Sequence, residues 1–575
     1  SKRSPPDWEC RVRRFNVHSE RTTSSAEAET SGSSRFSIRS WLTGIGSLSN
    51  PDQLKALGAD PADLSELSAL IPFLAVSIGH ADSKIEVLDG ADLHASQKLL
   101  VKADSTRTVT TESFSIPVVQ SLIPFNAGMA FGRISGATSV EVKSGATLKG
   151  EQGIALQAHS QNTLTVESEA TNGHDAEGKQ ATTTGFAFAM ANTGLTTSAK
   201  VNSGALLNTR GDVSLLALTE QAIRNKAVFK SLGNGAAGGA VLALSVLNSN
   251  TQAAFNANLS GARHLDVSAT NLISRQQNEA TSQAGKGLAD FLKFRAIGTV
   301  DPIKNYVLSK FKDVNPTQPT DSKFRLAASL GLVVSDQQAE ASIGQSTQLN
   351  LSGNLGLTAL QEILELHNLV NSTVNGSKRG EDQNDYSLSM AVAIATLNQG
   401  TRALVGDGAQ ITAQRIGLGA QYIQPLNLGG FDRWSSLSDI GKNMLSLRGW
   451  PNDLAGKFST QYANSQGTSD ELAITGSISV LTNLIDTRAW VGDRVRLEAL
   501  VNDELAWQSR PLDALVGLRD AQGLLIPPSA MVANRRWDWA QPITVTAGNQ
   551  LGQLAIAGNI GMFLFGTAVG GESAP

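Results

Sequence analysis

The sequence predicts an all-β chain, a right-handed parallel β-helix (β-solenoid) of roughly 55-residue units with short helical insertions. Three observations predict it. An apolar-x-apolar-x-Ala pattern recurs, a glycine precedes that alanine at a near-fixed distance, and each unit opens with a run that alternates large and small residues.

The first pattern occurs at Leu99/Val101/Ala103, Ile154/Leu156/Ala158, Val213/Leu215/Ala217, Leu265/Val267/Ala269, Leu355/Leu357/Ala359, Ile416/Leu418/Ala420, Val495/Leu497/Ala499 and Ile543/Val545/Ala547. Successive alanines lie 55, 59, 52, 90, 61, 79 and 48 residues apart, which fits a short unit lengthened by insertions. Fifty-five residues is long for one turn of short strands, so each unit is expected to supply two or three coils. The glycine lies 13 residues before the alanine at Gly90, Gly145 and Gly204, and 12 before it at Gly408. Gly344 reads as a further counterpart. Thr-x-Ala recurs upstream, at Thr197/Ala199, Thr251/Ala253, Thr401/Ala403 and Thr487/Ala489.

The opening runs are strands by their period of two. Phe186, Phe188 and Met190 alternate with alanines, as do Leu242, Leu244 and Val246 with Ala243 and Ser245. Leu388, Met390, Val392 and Ile394 repeat the scheme. The large residues are expected to face the interior and the Ala/Ser face the solvent. LAITGSISVL (472–481) and LAIAGNIGMF (554–563) read as matching copies.

In chain order, residues 1–48 are a polar leader, expected to be disordered, with no apolar core of a signal peptide. Residues 49–72 are a short helical segment. Solenoid repeats occupy 73–287, 324–428 and 471–503, and a further one starts at 542–575. Helical insertions are expected at 288–323 and 429–470, and a Pro- and Trp-bearing insertion at 504–541. The chain opens on Ser and stops within a repeat, as a piece of a longer protein would.

Composition narrows the function. Aromatics are 5% and charged residues 17% of 575, while Gly numbers 54, which suits thin stacked layers joined by turns. A net charge of −4 offers no basic field for nucleic acid. Cys10 is the only cysteine, so neither an intrachain disulfide nor a Cys-based zinc cluster is available. Residues 554–571 are apolar but interrupted by Gly and Asn559, and read as strand instead of a membrane span.

The motifs with chemical content each have a plainer reading. Val405-Gly406-Asp407-Gly408 reads as a turn, not a phosphate or metal loop. Gly233-x-Gly235-x-x-Gly238 precedes a strand pattern, so it does not make the strand-to-helix turn of a dinucleotide site. Glu362, Glu365 and His367 offer a possible metal set, but read more simply as a solvated strand or helix face, and Glu381 to Asp385 offers a calcium loop, but reads more simply as an acidic loop. Nothing assembles a nucleophile, base and orienter, so no catalytic residue, cofactor or metal is assigned. Six of the eight tryptophans lie at or after position 434. Trp434, Trp450, Trp507, Trp537 and Trp539 fall in the insertions and make a candidate interaction surface.

The alternating run, Thr-x-Ala, GDGA and apolar-x-apolar-x-Ala series resembles the long repeats of large bacterial exoproteins. These are the filamentous-adhesin and leukotoxin-like proteins of autotransporter and two-partner secretion systems. The clearest copies are 386–421, 184–217 and 471–499, and the resemblance covers roughly residues 73–575 without the insertions. It implies export to the cell surface or medium, a parallel β-helix, and a non-enzymatic structural or adhesive role toward host-cell proteins, glycans or neighbouring cells. A β-helix polysaccharide lyase or hydrolase and a passenger segment of a secreted toxin are the alternatives.

Overall fold

The computed structural model describes residues 16–19, 22–29, 74–115, 125–172, 183–231, 237–284, 324–374, 386–424, 460–469, 472–500, 542–553, 555–563 and 567–571. Among these every regular element is a strand, and the strands stack in parallel sheets. A ten-stranded front sheet runs through Phe125–Val142, Thr183–Val201, Ala237–Phe255, Phe324–Ile343, Tyr386–Val405 and Leu472–Val491. An eleven-stranded back sheet runs through Lys98–Ser115, Gly153–Asn172, Asp212–Ser231 and Leu265–Ala284, then through shorter strands in pairs. Two narrow sheets close one side, with strands such as Thr147–Gly150 and Gln410–Ala413.

The long strands correct the expected coil count. The chain passes once through the front sheet, once through a narrow strand and once through the back sheet before it returns. Front and back strands reach 20 residues, far beyond the common length of about 5–6. One circuit therefore absorbs the residues that short strands would have spread over two or three.

The recurring alanines form a real ladder. Ala103, Ala158, Ala217, Ala269, Ala359, Ala420 and Ala547 pair in register across the back sheet. Ala499 does not belong to it: Arg496–Ala499 lies in a narrow sheet, where Ala499 pairs with Ala413. Both sheets line the same Leu/Val/Ile core, so both need the same local pattern. Nor do the two LAI segments stack. Leu472–Val491 is a front strand and Ala555–Phe563 a back strand.

The inside–outside assignment is reversed. Ala187, Ala189, Ala191, Ala243, Ala391 and Ala393 are fully buried, whereas Met390 is 49% exposed and Phe188 and Leu244 are only half-buried. The reason is the closeness of the two long sheets. A Cβ on Gly239 would lie 2.0 Å from the Phe229 ring, and one on Gly331 would lie 2.5 Å from Val370 Cγ2. Small residues therefore dominate the inner face opposite the back-sheet side chains, with Val241 a larger exception beside Ala187, and most large residues of the opening runs turn outward.

Between the Ala-rich core and the Leu/Val/Ile core runs a polar belt. The threonines of Thr-x-Ala belong to it, pointing inward: Thr219 Oγ1 lies 2.7 Å from both Thr197 Oγ1 and Thr251 Oγ1. Gln221 donates to Asn271 and Gln337 at 3.0 Å. Asn225 donates to Asn278, and Asn278 to Asn368, at 2.8 and 2.9 Å. These amide chains satisfy the donors of Gln221, Asn225 and Asn278 rung by rung, which lowers the cost of burying them, while Gln221 Oε1 and Asn225 Oδ1 are buried without a partner.

Gly408 is a turn glycine with φ 68°, as are Gly90, Gly145 and Gly204 in their own circuits. Gly344 is not their counterpart. Ser346 occupies that position with φ 54°, and Arg494 does so in the next circuit with φ 55°. The stacked turns bond to one another, Ser346 N to Asp407 O and Gly408 N to Asp493 O, each at 2.8 Å. Those bonds hold two non-glycine residues in a left-handed conformation they rarely adopt.

Two domain boundaries also move. Asn16–Ser19 and Thr22–Glu29, inside the expected leader, are strands, and the first pairs antiparallel with Ser83–Val87. Gln461–Ser469, assigned to the 429–470 insertion, is a back strand paired with Leu366–Val374 and Ala555–Phe563. The insertion enters where the back sheet is already irregular. Leu265–Ala284 carries a register shift there, and the next circuit breaks between Ile363 and Leu366. The helical readings of 49–72, 288–323, 429–459 and 504–541 lie outside the described residues.

Candidate interaction surface

Outward-facing residues of the front sheet fall into columns, one residue per strand, because parallel pairing keeps equivalent positions in line. One column runs from Leu74 through Met129, Phe188, Leu242, Leu330 and Val392 to Ile478. Its neighbour runs from Val76 through Phe131, Met190, Leu244, Leu332 and Ile394 to Val480. All fourteen positions are large and apolar. On one side they are flanked by the mixed column of Phe186, Ala240, Ala328, Met390 and Gly476, and on the other by a largely polar one, Arg133, Asn192, Val246, Val334, Thr396 and Thr482. Met390, Ile474, Ile478 and Val480 are 37–49% exposed, so the plate faces solvent most openly at the later strands.

The other half of the same face is polar and neutralises itself. Arg402 Nη2 donates to Asp486 Oδ2 at 2.7 Å, and Gln252 Nε2 to Glu340 at 3.2 Å. Burial works against ionising Asp486, but its bonds to Arg402 and Arg488 prevail and hold its pKa below the usual carboxylate range. A shallow depression there is lined by Asn248, Asn250, Asp336, Gln338, Glu340 and Arg402. No apolar group of the plate enters it.

The outer face of the back sheet carries an acid–histidine cluster. His159 lies 2.9 Å from Asp104 through Nδ1 and 3.2 Å from Glu220 through Nε2. Burial opposes the imidazolium, yet the hydrogen bonds to the two carboxylates raise its pKa to about 9. The bond to His159 lowers Asp104 to about 2 against its partial burial. Each carboxylate is engaged with one side of the ring, which makes a fixed ion triad across adjacent strands.

The residues singled out in the sequence are dispersed. Trp434, Trp450, Trp507, Trp537 and Trp539 lie outside the described residues, as do Gly233, Gly235 and Glu381 to Asp385. Gly238 sits within the front strand Ala237–Phe255, paired with Thr184 and Leu326. Glu365 is bonded to Arg275 at 3.0 Å and lies 3.4 Å from His367; burial opposes its ionisation, but these partners lower its pKa to about 2. Glu362 is buried. No group of three or more His, Cys, Asp or Glu is arranged to hold a metal ion among the described residues. No helix among them is long and apolar enough to cross a membrane.

The plate was written in the sequence as the alternating runs, but under the opposite orientation. The triad left no local signal, since strand pairing alone brings Asp104, His159 and Glu220 together. No family model, curated protein or solved structure matches the chain.

Proposed function

We propose that this chain is a non-enzymatic, extracellular structural or adhesive segment of a repetitive bacterial surface or secreted protein. Its architecture is read as a right-handed parallel β-helix of roughly 55-residue units, in line with the resemblance to filamentous-adhesin and leukotoxin-like repeats. One observation carries the reading: two unbroken columns of large apolar residues cross seven stacked front strands on the outer face. Of the fourteen residues Ile478 and Val480 are exposed, Leu74 is buried and the others are partly exposed; contiguous apolar surface that reaches solvent in this way marks a contact surface. A polysaccharide-processing enzyme would need carboxylates free to act on substrate. Asp104 and Glu220 are both bonded to His159, so the cluster favours a structural part.

The test is binding of the full chain to host cells and to glycan arrays. It compares the wild type, the plate variant Leu244→Lys/Leu332→Lys, and deletions of 429–459 and 504–541 that spare the strand at Gln461–Ser469. Binding should fall at least tenfold in the plate variant. Binding lost only on deletion would move the contact to Trp434, Trp450, Trp507, Trp537 and Trp539. A chain that binds nothing in any form would remove the adhesive reading.

A further inference from the structure

We infer that the polar half of the front-sheet face binds a neutral oligosaccharide, seated in the hollow between Gly194, Asn250 and Arg402. The inference goes beyond the apolar plate and does not rest on it.

The hollow follows from the strand register. Three outward columns meet there: Gly194, Asn248 and Asp336 in the first, Thr196, Asn250 and Gln338 in the second, and Gln252, Glu340 and Arg402 in the third. Gly194 opens the floor, since the nearest atom that a Cβ there would meet is Ser135 Cβ at 3.9 Å. Gly400 opens it further. A Cβ on Gly400 would lie 1.8 Å from Gln338 Oε1, so the Gln338 side chain lies down over a place that any other residue would fill. The space measures about 580 Å³, within the range of about 300–1,000 Å³ for small-ligand sites.

The charges narrow the ligand. Asp336, Glu340 and Asp486 stand against Arg402 and Arg488, and both guanidinium groups are paired with Asp486. Three carboxylates against two guanidinium groups leave one negative charge, which gives no hold on a sulfated or phosphorylated chain. Nor is any group of three or more acids or histidines arranged for a cation among the described residues.

What the hollow offers is oriented donors and acceptors. Asp336 Oδ1 accepts from Gln338 at 2.8 Å and from Asn398 at 3.1 Å, and Glu340 Oε1 accepts from Gln252 at 3.2 Å. Amides thus fix each carboxylate by one oxygen and leave the other for a ligand. The side chains of Asn248 and Asn250 are exposed, and no other described residue bonds to them. A sugar hydroxyl both donates and accepts, so neighbouring hydroxyls match a carboxylate on one strand and an amide on the next. Strands stand about 4.8 Å apart, close to the length of one pyranose ring along its chain. Successive rings therefore meet successive rungs. The C–H face of a ring finds Val334, which is 48% exposed and two residues before Asp336 on the same face.

The experiment is isothermal titration of the full chain with linear tetrasaccharides of glucose, galactose, mannose and N-acetylglucosamine. A heparin tetrasaccharide and the peptide Ser-Asn-Ser-Asn serve as comparisons. At least one neutral tetrasaccharide should bind, and raising the salt from about 50 to 500 mM should change its affinity less than about twofold. Asn250→Ala/Gln338→Ala removes two hydrogen-bonding side chains and should weaken binding at least about tenfold. Gly194→Leu keeps every hydrogen-bonding group but fills the hollow from an open position, and should weaken it as much. Far-UV circular dichroism of both variants should match the wild type, and Leu244→Lys/Leu332→Lys should bind the sugar as the wild type does. Failure of every neutral tetrasaccharide to bind overturns the inference. So does binding unchanged in both hollow variants, or tighter binding of heparin or of the peptide. If the plate variant keeps its hold on host cells while the hollow variants lose the sugar, the plate is not the contact surface and the oligosaccharide site stands.

Discussion

Each strand of the front sheet carries two faces of different chemistry. At one register position the inner face reads Ala130, Ala189, Ala243, Gly331 and Ala393, and the adjacent outer column reads Met129, Phe188, Leu242, Leu330 and Val392. The small face is the buried one. Hydropathy does not decide this, because both faces are apolar. Distance does: where two sheets approach closely enough for Phe229 to fill the place of a side chain at Gly239, volume is what selection on the interior controls.

The largest expected effect breaks this contrast directly. Ala243→Asp buries a charge with no partner in a close-packed layer and should cost at least about 4 kcal/mol, enough to prevent folding. Leu242→Asp, one residue away on the outer face, should cost about 1 kcal/mol or less, since water reaches the carboxylate. Urea-unfolding midpoints in dilute protein compare the two. Equal losses would mean that the outer column is covered as well as the inner one.

How much of this the sequence discloses depends on the range of the interaction. Strand positions follow from local alternation, and the register of the back sheet follows from the alanine ladder. The turn at Gly408 is local too, and its positive φ was legible from the glycine. Three things were not legible, each set by a neighbour far along the chain. The buried face depends on the distance between the sheets. Ala499 shares its pattern with the ladder because the narrow sheet lines the same core. Ser346 and Arg494 hold a glycine-like turn because stacked turns clamp them, which no single turn reveals. The outer apolar columns were therefore visible as residues but assigned to the wrong face: the same alternation that marks a strand says nothing about which side meets water.

The interior also holds the reverse case, a charge where apolar groups would be expected. Arg107 is among the largest fully buried side chains. Its Nε and Nη2 donate to Ala81 O at 3.0 and 2.6 Å. Nη1 donates to Ser160 and Asn162 at 2.8 and 3.0 Å, and Nη2 also reaches Thr138 at 3.1 Å. Burial lowers its pKa, offset in part by Asp82, but a guanidinium starts far too high to lose its proton. Five donors in one plane meet acceptors from two strands, Phe125–Val142 and Gly153–Asn172, and a loop. Arg107→Met should cost about 3 kcal/mol, because those acceptors are stranded without donors. Arg107→Lys should recover little of it, since an ammonium cannot fork in the same way. Hydrogen exchange at Ala137 and Thr138 should rise in both variants, and a lysine variant as stable as the wild type would show that charge alone suffices.

His159 is the outer counterpart of Arg107, a cation held by carboxylates at the surface, and its effect should be the smallest and dependent on pH. Its folded-state pKa of about 9 lies above the ordinary 6.5, so folding favours the protonated ring. The stabilisation is full below pH 6.5 and is lost as the pH rises through about 9. Asp104 moves the other way, to about 2 from an ordinary 3.8, so its share is present above pH 3.8 and is lost as the pH falls toward 2. Between 3.8 and 6.5 both contributions are in place. His159→Gln keeps a polar ring-sized side chain but removes the titration. The wild-type urea midpoint should decline between pH 6.5 and 9, and the variant should lack that decline. Because Asp104 is half exposed, solvent screening keeps the alkaline loss well below that expected for Arg107→Met. Parallel pH profiles for wild type and variant would show that the triad contributes no net stability and that the charge inside the molecule, not the one on its surface, holds these strands together.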